Sequence, residues 1–469
     1  MRLTLPEPDI PEEEGFTEKN DIFKYREFGE RLANLVSSID EPLVINLDAP
    51  WGSGKTVFIK QWAGLIRKRG GKAVYFDAFA HDFHENAFLS LASQIHYEAT
   101  KTLEKNENES LKKYLQDFLN ATKKAGKVIS PIMLSNGLRI AAADLVNHDV
   151  VEAAFKAFIN ESKKVISEKV KDFNDECDSL QKFRTALEKV SENITKKREN
   201  NTEKNKDVNN EKKESDNQSF PLIFIVDELD RCRPPFALEV IERIKHLFSV
   251  KNVCFVLVTN LSYLETSLLG AYGARFDAPT YLEKFYHLKI VLPKPDFDDQ
   301  NQRNKYLTYL WEKLQPKIGG GEADAIRYEI EHLAKAHELS LRQMEHVMRS
   351  IVLVAASSSK KSLLNSPVTA GFCIMRQTHP KLYDKARENK LTWDELEEFL
   401  KIDKINYRKE VVNNWRYLVD MEAPEEIIKN YPQEWKGFFH GITLPRDRYL
   451  LQRIFTNDID SLFGSQSDE

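Results

Sequence analysis

The sequence predicts an α/β fold: a parallel, doubly wound sheet of five core strands that carries a glycine-rich loop. Three observations predict it. The run Ala49-Pro50-Trp51-Gly52-Ser53-Gly54-Lys55-Thr56 follows the apolar Leu43-Val44-Ile45 and precedes a helical pattern over about 56–66, the strand, glycine loop and helix order that a phosphate cradle needs. Leu222-Ile223-Phe224-Ile225-Val226 is apolar throughout and ends in Asp227-Glu228. A strand buried on both faces reads that way, and it has no structural need for two carboxylates at its tip. Further strand patterns at 73–77, 253–258 and 287–292 alternate with helical ones, which implies parallel pairing through crossovers.

Residues 1–16 carry three prolines and an acidic run and predict a loose arm that ends by residue 20. Phe28, Leu32, Leu35 and Val36 give 23–38 a helical stripe, which should pack beside the first strand, 42–47. Gly52 and Gly54 let the backbone turn so that successive N–H groups face an anion, and the following helix sets its positive end under the same charge. The second strand leads into the aromatics Tyr75, Phe76 and Phe79. Residues 86–192 then read as a charged helical insertion, with stripes such as Phe88, Leu91, Ile95 and Leu111, Leu115, Phe118. Across Asn193–Asp216 seven basic residues face six acidic ones, so 193–219 is expected to be a solvated, disordered linker rather than a basic tail.

After the third strand, Pro234-Pro235 open a helix whose Leu238, Ile241, Ile244 and Leu247 share a stripe. The fourth and fifth strands complete a core expected over 21–300. Helical patterns at 307–314, 326–336 and 341–354 predict a lid over 301–356, followed by a Ser/Lys loop at 357–366. An α-helical C-terminal domain is expected over 367–469. There Thr392 and Glu395 form a capping box for a helix at 393–400, and Trp415, Tyr417, Tyr431, Trp435, Phe438 and Phe439 supply a small core.

At 469 residues the chain is long enough for two or three domains. A net charge of −5 gives no global basic field, so composition does not support nucleic-acid or membrane recruitment. Cys177, Cys232, Cys254 and Cys373 share no metal-ligand spacing and no secretory signal opens the sequence, which reads as reduced thiols in a cytoplasm. Arg139 and Asp144 interrupt the most apolar stretch, 132–146, so no membrane span is expected. His81-Asp82-Phe83-His84-Glu85 can set two His on one helix face, but it lacks a third ligand and reads as a polar loop.

The two marked segments imply a nucleoside-triphosphate site. Pro50, Trp51, Gly52, Ser53, Gly54, Lys55, Thr56 and Val57 are the expected nucleotide contacts, with Lys55 on the β- and γ-phosphates. Thr56 and Asp227 are the expected Mg2+ ligands. Glu228 is placed to polarise an attacking water, or alternatively to pair with Arg231. Asn260, at the end of the fourth strand, can orient that water or simply form a turn. Positive charge for the γ-phosphate could come from Arg231, Arg275, Lys284 or Arg342.

Pro50 to Thr56, Asp227-Glu228-Leu229-Asp230-Arg231-Cys232 and Tyr281-Leu282-Glu283-Lys284-Phe285 resemble the KAP family of P-loop NTPases, as do Tyr25 and Val74-Tyr75-Phe76-Asp77-Ala78-Phe79. The resemblance spans about 20–300, with a helical continuation to about 355. It implies an ATPase core of the additional-strand type, with ATP and Mg2+ as cofactors, a sensor strand between the first and third strands, and an insertion after the second. The sequence departs in opening its loop with Ala49 in place of Gly, and in carrying charged helices where many members insert membrane helices. Gly273-Ala274-Arg275-Phe276-Asp277 resembles the arginine-finger position of ring-forming relatives, which implies a homo-oligomer. Leu341-Arg342-Gln343-Met344 looks like their second sensor. Bacterial members without membrane helices resemble phage-exclusion proteins. The function expected is an ATP-hydrolysing switch or assembly platform with a protein effector partner, in antiphage defence. The alternatives are a nucleic-acid motor or loader, and a nucleotide-gated scaffold without turnover, against which Glu228 argues.

Overall fold

The computed structural model describes residues 5, 10–83, 86–106, 109–143, 163–195, 219–294, 300–316, 318, 320–357, 367–402, 408–420, 422–424, 426, 427, 456, 459 and 460. The chain divides into two compact units. One holds Ile10–Pro50 and Lys55–Pro293; the other holds Met1–Asp9, Trp51–Gly54 and Lys294–Glu469.

The first unit is built on five parallel strands: β1 (Leu43–Asp48), β2 (Lys72–Asp77), β3 (Leu222–Asp227), β4 (Val253–Thr259) and β5 (Leu288–Val291). Their order is β2-β3-β4-β1-β5. The added strand β4 therefore lies between β1 and β3, as the resemblance implies. β3 and β4 are buried at every position, which explains their unbroken apolar sequence. β5 is a four-residue edge strand with Val291 59% exposed, and shortness limits the pairing that an open edge invites. The register sets Asp77 beside Asp227 and Asp48 beside Thr259.

Around the sheet lie α1 (Arg26–Ser37), α2 (Lys55–Lys68), α3 (Ala87–Asn106), α4 (Glu109–Ala143), α5 (Lys163–Thr195), α6 (Pro234–Arg243) with a π-helical turn at Ile244–Phe248, α7 (Leu261–Tyr272) and α8 (Ala278–Leu282). Side chains alternate across a strand, so consecutive residues feed two different cores. Ile45, Ile225 and Val256 join Phe58, Trp62 and Ile66 of α2. Their neighbours Val44, Phe224 and Phe255 join Phe88, Phe183 and Ile241 on the other face.

The helical insertion is fixed to that second core by aromatic contacts. Phe183 of α5 lies 4.9 Å from Phe88 and 5.2 Å from Phe248, ring centre to ring centre, and Phe248 lies 6.2 Å from Phe255 of β4. Arg184 donates to the backbone oxygens of His246 at 2.7 Å and Ser249 at 2.9 Å. It thereby caps carbonyls left open where the π-helical turn ends. Asn193–Thr195, expected in the linker, are helical as the end of α5, and Phe220 is buried; 196–218 lie outside the described residues.

The expected loose arm is corrected for its second half. Phe16 is buried, 5.8 Å from Phe58. Gly29 of α1 and Gly64 of α2 make room for it: a Cβ on Gly29 would come 2.5 Å from the Phe16 ring, and one on Gly64 would come 2.4 Å from Gly15 N. Arg67 donates to the Glu12 carbonyl oxygen at 2.7 Å. Apolar burial and this anchoring oppose the disorder that the prolines and acids suggested. Among the described residues no helix is long and apolar enough to cross a membrane.

The second unit holds α9 (Gln300–Leu314), α10 (Gly320–Ala336), α11 (Leu341–Ser357), α12 (Pro367–Thr378), α13 (Pro380–Arg387), α14 (Trp393–Leu400) and α15 (Lys409–Val419). α12 packs on α10, α11 and α15. Trp415 sits 5.0 Å from Phe372 and fills the space that a side chain on Gly371 would need. Thr392 and Glu395 form the capping box of α14. Trp415 and Tyr417 are buried, whereas Tyr431, Trp435, Phe438, Phe439 and the loop at 358–366 lie outside the described residues.

Candidate functional site

β1 ends at Asp48, and the glycine loop follows. Gly52 and Gly54 take φ of 74° and 86°, backbone that favours glycine. A Cβ on Gly52 would also come 2.7 Å from Arg342 Cβ within the second unit. Ala49, in place of the usual glycine, is not among the residues with positive φ. Its N–H donates to Thr259 O at 3.1 Å, so it continues the pairing of β1 with β4. The position therefore makes no conformational demand for glycine. The Ser53 hydroxyl is buried without a hydrogen-bond partner.

Lys55 opens α2, and its ammonium donates to Ala49 O at 2.6 Å and Pro50 O at 3.3 Å. Burial pulls its pKa down, while Asp230, Asp227 and Asp48 oppose the shift. Thr56 is the next residue, and its hydroxyl favours the charged form of the Asp227 carboxylate. Asp227 is buried at the tip of β3. Its Oδ1 accepts the Glu228 N–H at 2.8 Å and its Oδ2 accepts the Tyr75 hydroxyl at 3.0 Å. Burial raises the Asp227 pKa, and Thr56 with the hydrogen bonds from Glu228 and Tyr75 counters it.

Glu228 stands in left-handed backbone, φ 58° and ψ 25°, at the start of a 3-10 turn over Leu229–Arg231. Its carboxylate pairs with Arg231 at 3.0 Å. Of the two sequence readings of Glu228, the ion pair with Arg231 is formed. Burial raises its pKa, Arg231 lowers it, and Asp77, Asp227 and Asp230 add to the rise. The turn is closed at Arg233, which donates through its N–H and its Nε to the Asp82 carboxylate, each at 3.0 Å, and through its guanidinium to the Asp82 backbone oxygen. His81 stacks on Phe76 at 4.6 Å and its Nδ1 lies 2.7 Å from Asp77 O. The described part of the His81–Glu85 segment thus acts as a strap across the strand ends; His84 and Glu85 lie outside the described residues.

Asn260 follows β4 as the N-cap of α7, and its Oδ1 accepts the Ser262 hydroxyl at 2.9 Å. The N–H of Leu261 goes to Asp48 Oδ1 at 2.9 Å, and Asp48 Oδ2 lies 3.3 Å from Lys289 Nζ. Arg275 is exposed between α7 and α8, and among the described residues no hydrogen bond or ion pair joins it to the carboxylates. Lys284 lies over the Tyr281 ring, 5.5 Å from its centre. Val57 is half-buried in the first turn of α2, Pro50 and Trp51 are exposed, and Arg342 is exposed in the first turn of α11. The structure thus gathers Lys55, Thr56, Asp227, Glu228 and Arg231, and leaves Arg275 and Lys284 outside that group.

Sequence reading missed Tyr75 and Asp48. Tyr75 reads as one of an aromatic cluster and as part of the family-like segment Val74–Phe79, with no role of its own; its hydroxyl, where Phe76 and Phe79 have none, is a further hint. Asp48 was visible as a carboxylate directly before the loop.

The donor set suits a nucleoside triphosphate with Mg2+. An unpartnered buried hydroxyl at Ser53 and a loop that rejects a Cβ at Gly52 fit an anion held by backbone N–H groups. The Thr56 hydroxyl and the Asp227 carboxylate are hard oxygen donors for a small cation that takes its remaining ligands from phosphate and water. Among the described residues no group of three or more His, Cys, Asp or Glu could hold a metal ion by itself. No curated protein matches the sequence. The family model for the KAP family P-loop domain matches residues 25–357. The chain belongs to that family, and residues 25–357 form its nucleotide-binding domain of the P-loop NTPase type.

Proposed function

We propose that the chain binds ATP with Mg2+, hydrolyses it, and uses the cycle as a switch on which an assembly forms. The observation that carries the reading is the buried Asp227 carboxylate at the tip of β3, held by the Glu228 N–H and the Tyr75 hydroxyl, with Lys55 and Thr56 of the glycine loop favouring its charged form. Thr56 and Asp227 would hold Mg2+, which supplies charge for the β- and γ-phosphates. Lys55 would leave the Ala49 and Pro50 carbonyls for those phosphates. Glu228 would polarise water, with Asn260 orienting it. Arg342, whose Cβ faces Gly52, would respond to nucleotide in the loop. Arg275 is exposed and suits a role in a neighbouring subunit's site, so self-association would complete the hydrolytic centre. A protein effector would read the assembled form. Antiphage defence is the setting we infer from the resemblance to phage-exclusion members of the family.

A titration with a fluorescent ATP analogue tests the binding step. The wild type should bind saturably and with Mg2+ dependence. Lys55→Ala should weaken binding by about tenfold or more, since a hydrogen-bonded charge on the phosphates is lost. Unchanged affinity in a folded Lys55→Ala protein would contradict the assignment.

A further inference from the structure

Asp227 is held from the neighbouring strand. Tyr75 of β2 donates its hydroxyl to Asp227 Oδ2 at 3.0 Å, and Oδ1 takes the Glu228 N–H at 2.8 Å. With both oxygens engaged, the carboxylate cannot turn about its Cβ–Cγ bond without breaking one of these bonds. The Tyr75 ring is itself held. Lys60 lies one helical turn beyond Thr56 on the same face of α2, and its Nζ sits 5.1 Å from the ring centre, within cation–π range. A chain from Lys60 through Tyr75 to Asp227 thus joins α2, β2 and β3 around the pair of oxygens that Thr56 and Asp227 present. A residue that merely filled this space would do so as Phe, as Phe76 does on the opposite face. The hydroxyl is what Tyr75 adds.

We propose that Tyr75 is a positioning residue for the Mg2+ site, its hydroxyl fixing the Asp227 carboxylate in the orientation that meets the metal beside Thr56. The inference rests on the Mg2+–ATP reading above. Tyr75 acts through Asp227, so its loss should weaken the metal and leave metal-free nucleotide contacts alone. Removal of such an outer partner commonly costs 10- to 100-fold in metal affinity.

The test measures binding of a fluorescent ATP analogue across an Mg2+ series and in EDTA, for the wild type, Tyr75→Phe, Asp227→Asn and the double variant, with thermal melts of each. Tyr75→Phe should raise the Mg2+ midpoint about tenfold, leave affinity in EDTA unchanged, and have no further effect in the Asp227→Asn background. A Tyr75→Phe midpoint equal to that of a clearly Mg2+-dependent wild type would overturn the proposal alone, as would an equal effect of Tyr75→Phe with and without Asp227. Wild-type binding indifferent to Mg2+ would overturn the Mg2+–ATP reading and this inference with it.

Discussion

Glu228 occupies left-handed backbone, where a side chain costs about 1–3 kcal/mol unless its surroundings compensate. Here they do: its N–H goes to Asp227, its carboxylate to Arg231, and its carbonyl oxygen accepts from the Cys232 thiol at 3.6 Å. A strained residue so firmly held beside a buried carboxylate is what a placed base requires. Glu228→Gln keeps the size but cannot take a proton. We expect ATP affinity to stay close to that of the wild type while phosphate release falls about 10²- to 10⁴-fold; release at the wild-type rate would move the base elsewhere. Lys55, Thr56 and Asp227 were legible in the sequence because glycine spacing and a charged pair ending an apolar strand leave few other readings. Tyr75 was not. Its meaning depends on the register that sets β2 beside β3, and on a hydrogen bond between residues 152 positions apart.

The strands were the most legible elements, each within about two residues of its expected bounds, and β3 and β4 most plainly, because buried parallel strands are written as unbroken apolar runs. The ends of helices were legible where a local device marks them, as at Pro234 and at the Thr392–Glu395 box. Packing against the far side of a helix was not: the seat of Phe16 depends on Gly29 and Gly64, small residues that are unremarkable until two helices meet. Within the second unit, α10 carries a group with no signature in sequence. Glu329 is fully buried, its Oε1 takes the Trp415 indole N–H at 3.0 Å, and its other oxygen has no partner. Burial pushes its carboxyl up to about 8 from 4.5. Between those values the folded chain holds a proton that the unfolded chain releases. Stability from this group is thus greatest below about 4.5 and falls as pH rises towards 8. Glu329→Gln does not titrate, so its melting temperature relative to the wild type should rise from pH 5 to pH 8. An identical difference at both pH values would mean that Glu329 is not held neutral.

For the whole molecule, the family match over residues 25–357 accounts for the nucleotide-binding domain, and the proposed function adds turnover completed between subunits. Arg275, exposed and without an ionic partner among the described residues, is the residue on which that addition turns. If it acts in a neighbour's site, Arg275→Ala and Lys55→Ala chains should each be inactive alone and recover activity when mixed, since each supplies what the other lacks. The most direct measurement is steady-state phosphate release from saturating Mg2+–ATP as a function of subunit concentration, with the mixed variants alongside. A site completed between chains predicts a rate per subunit that rises with concentration as the protein self-associates, and partial recovery in the mixture. No release at any concentration would contradict hydrolysis, and a constant rate per subunit from a monomer would contradict a site completed between chains.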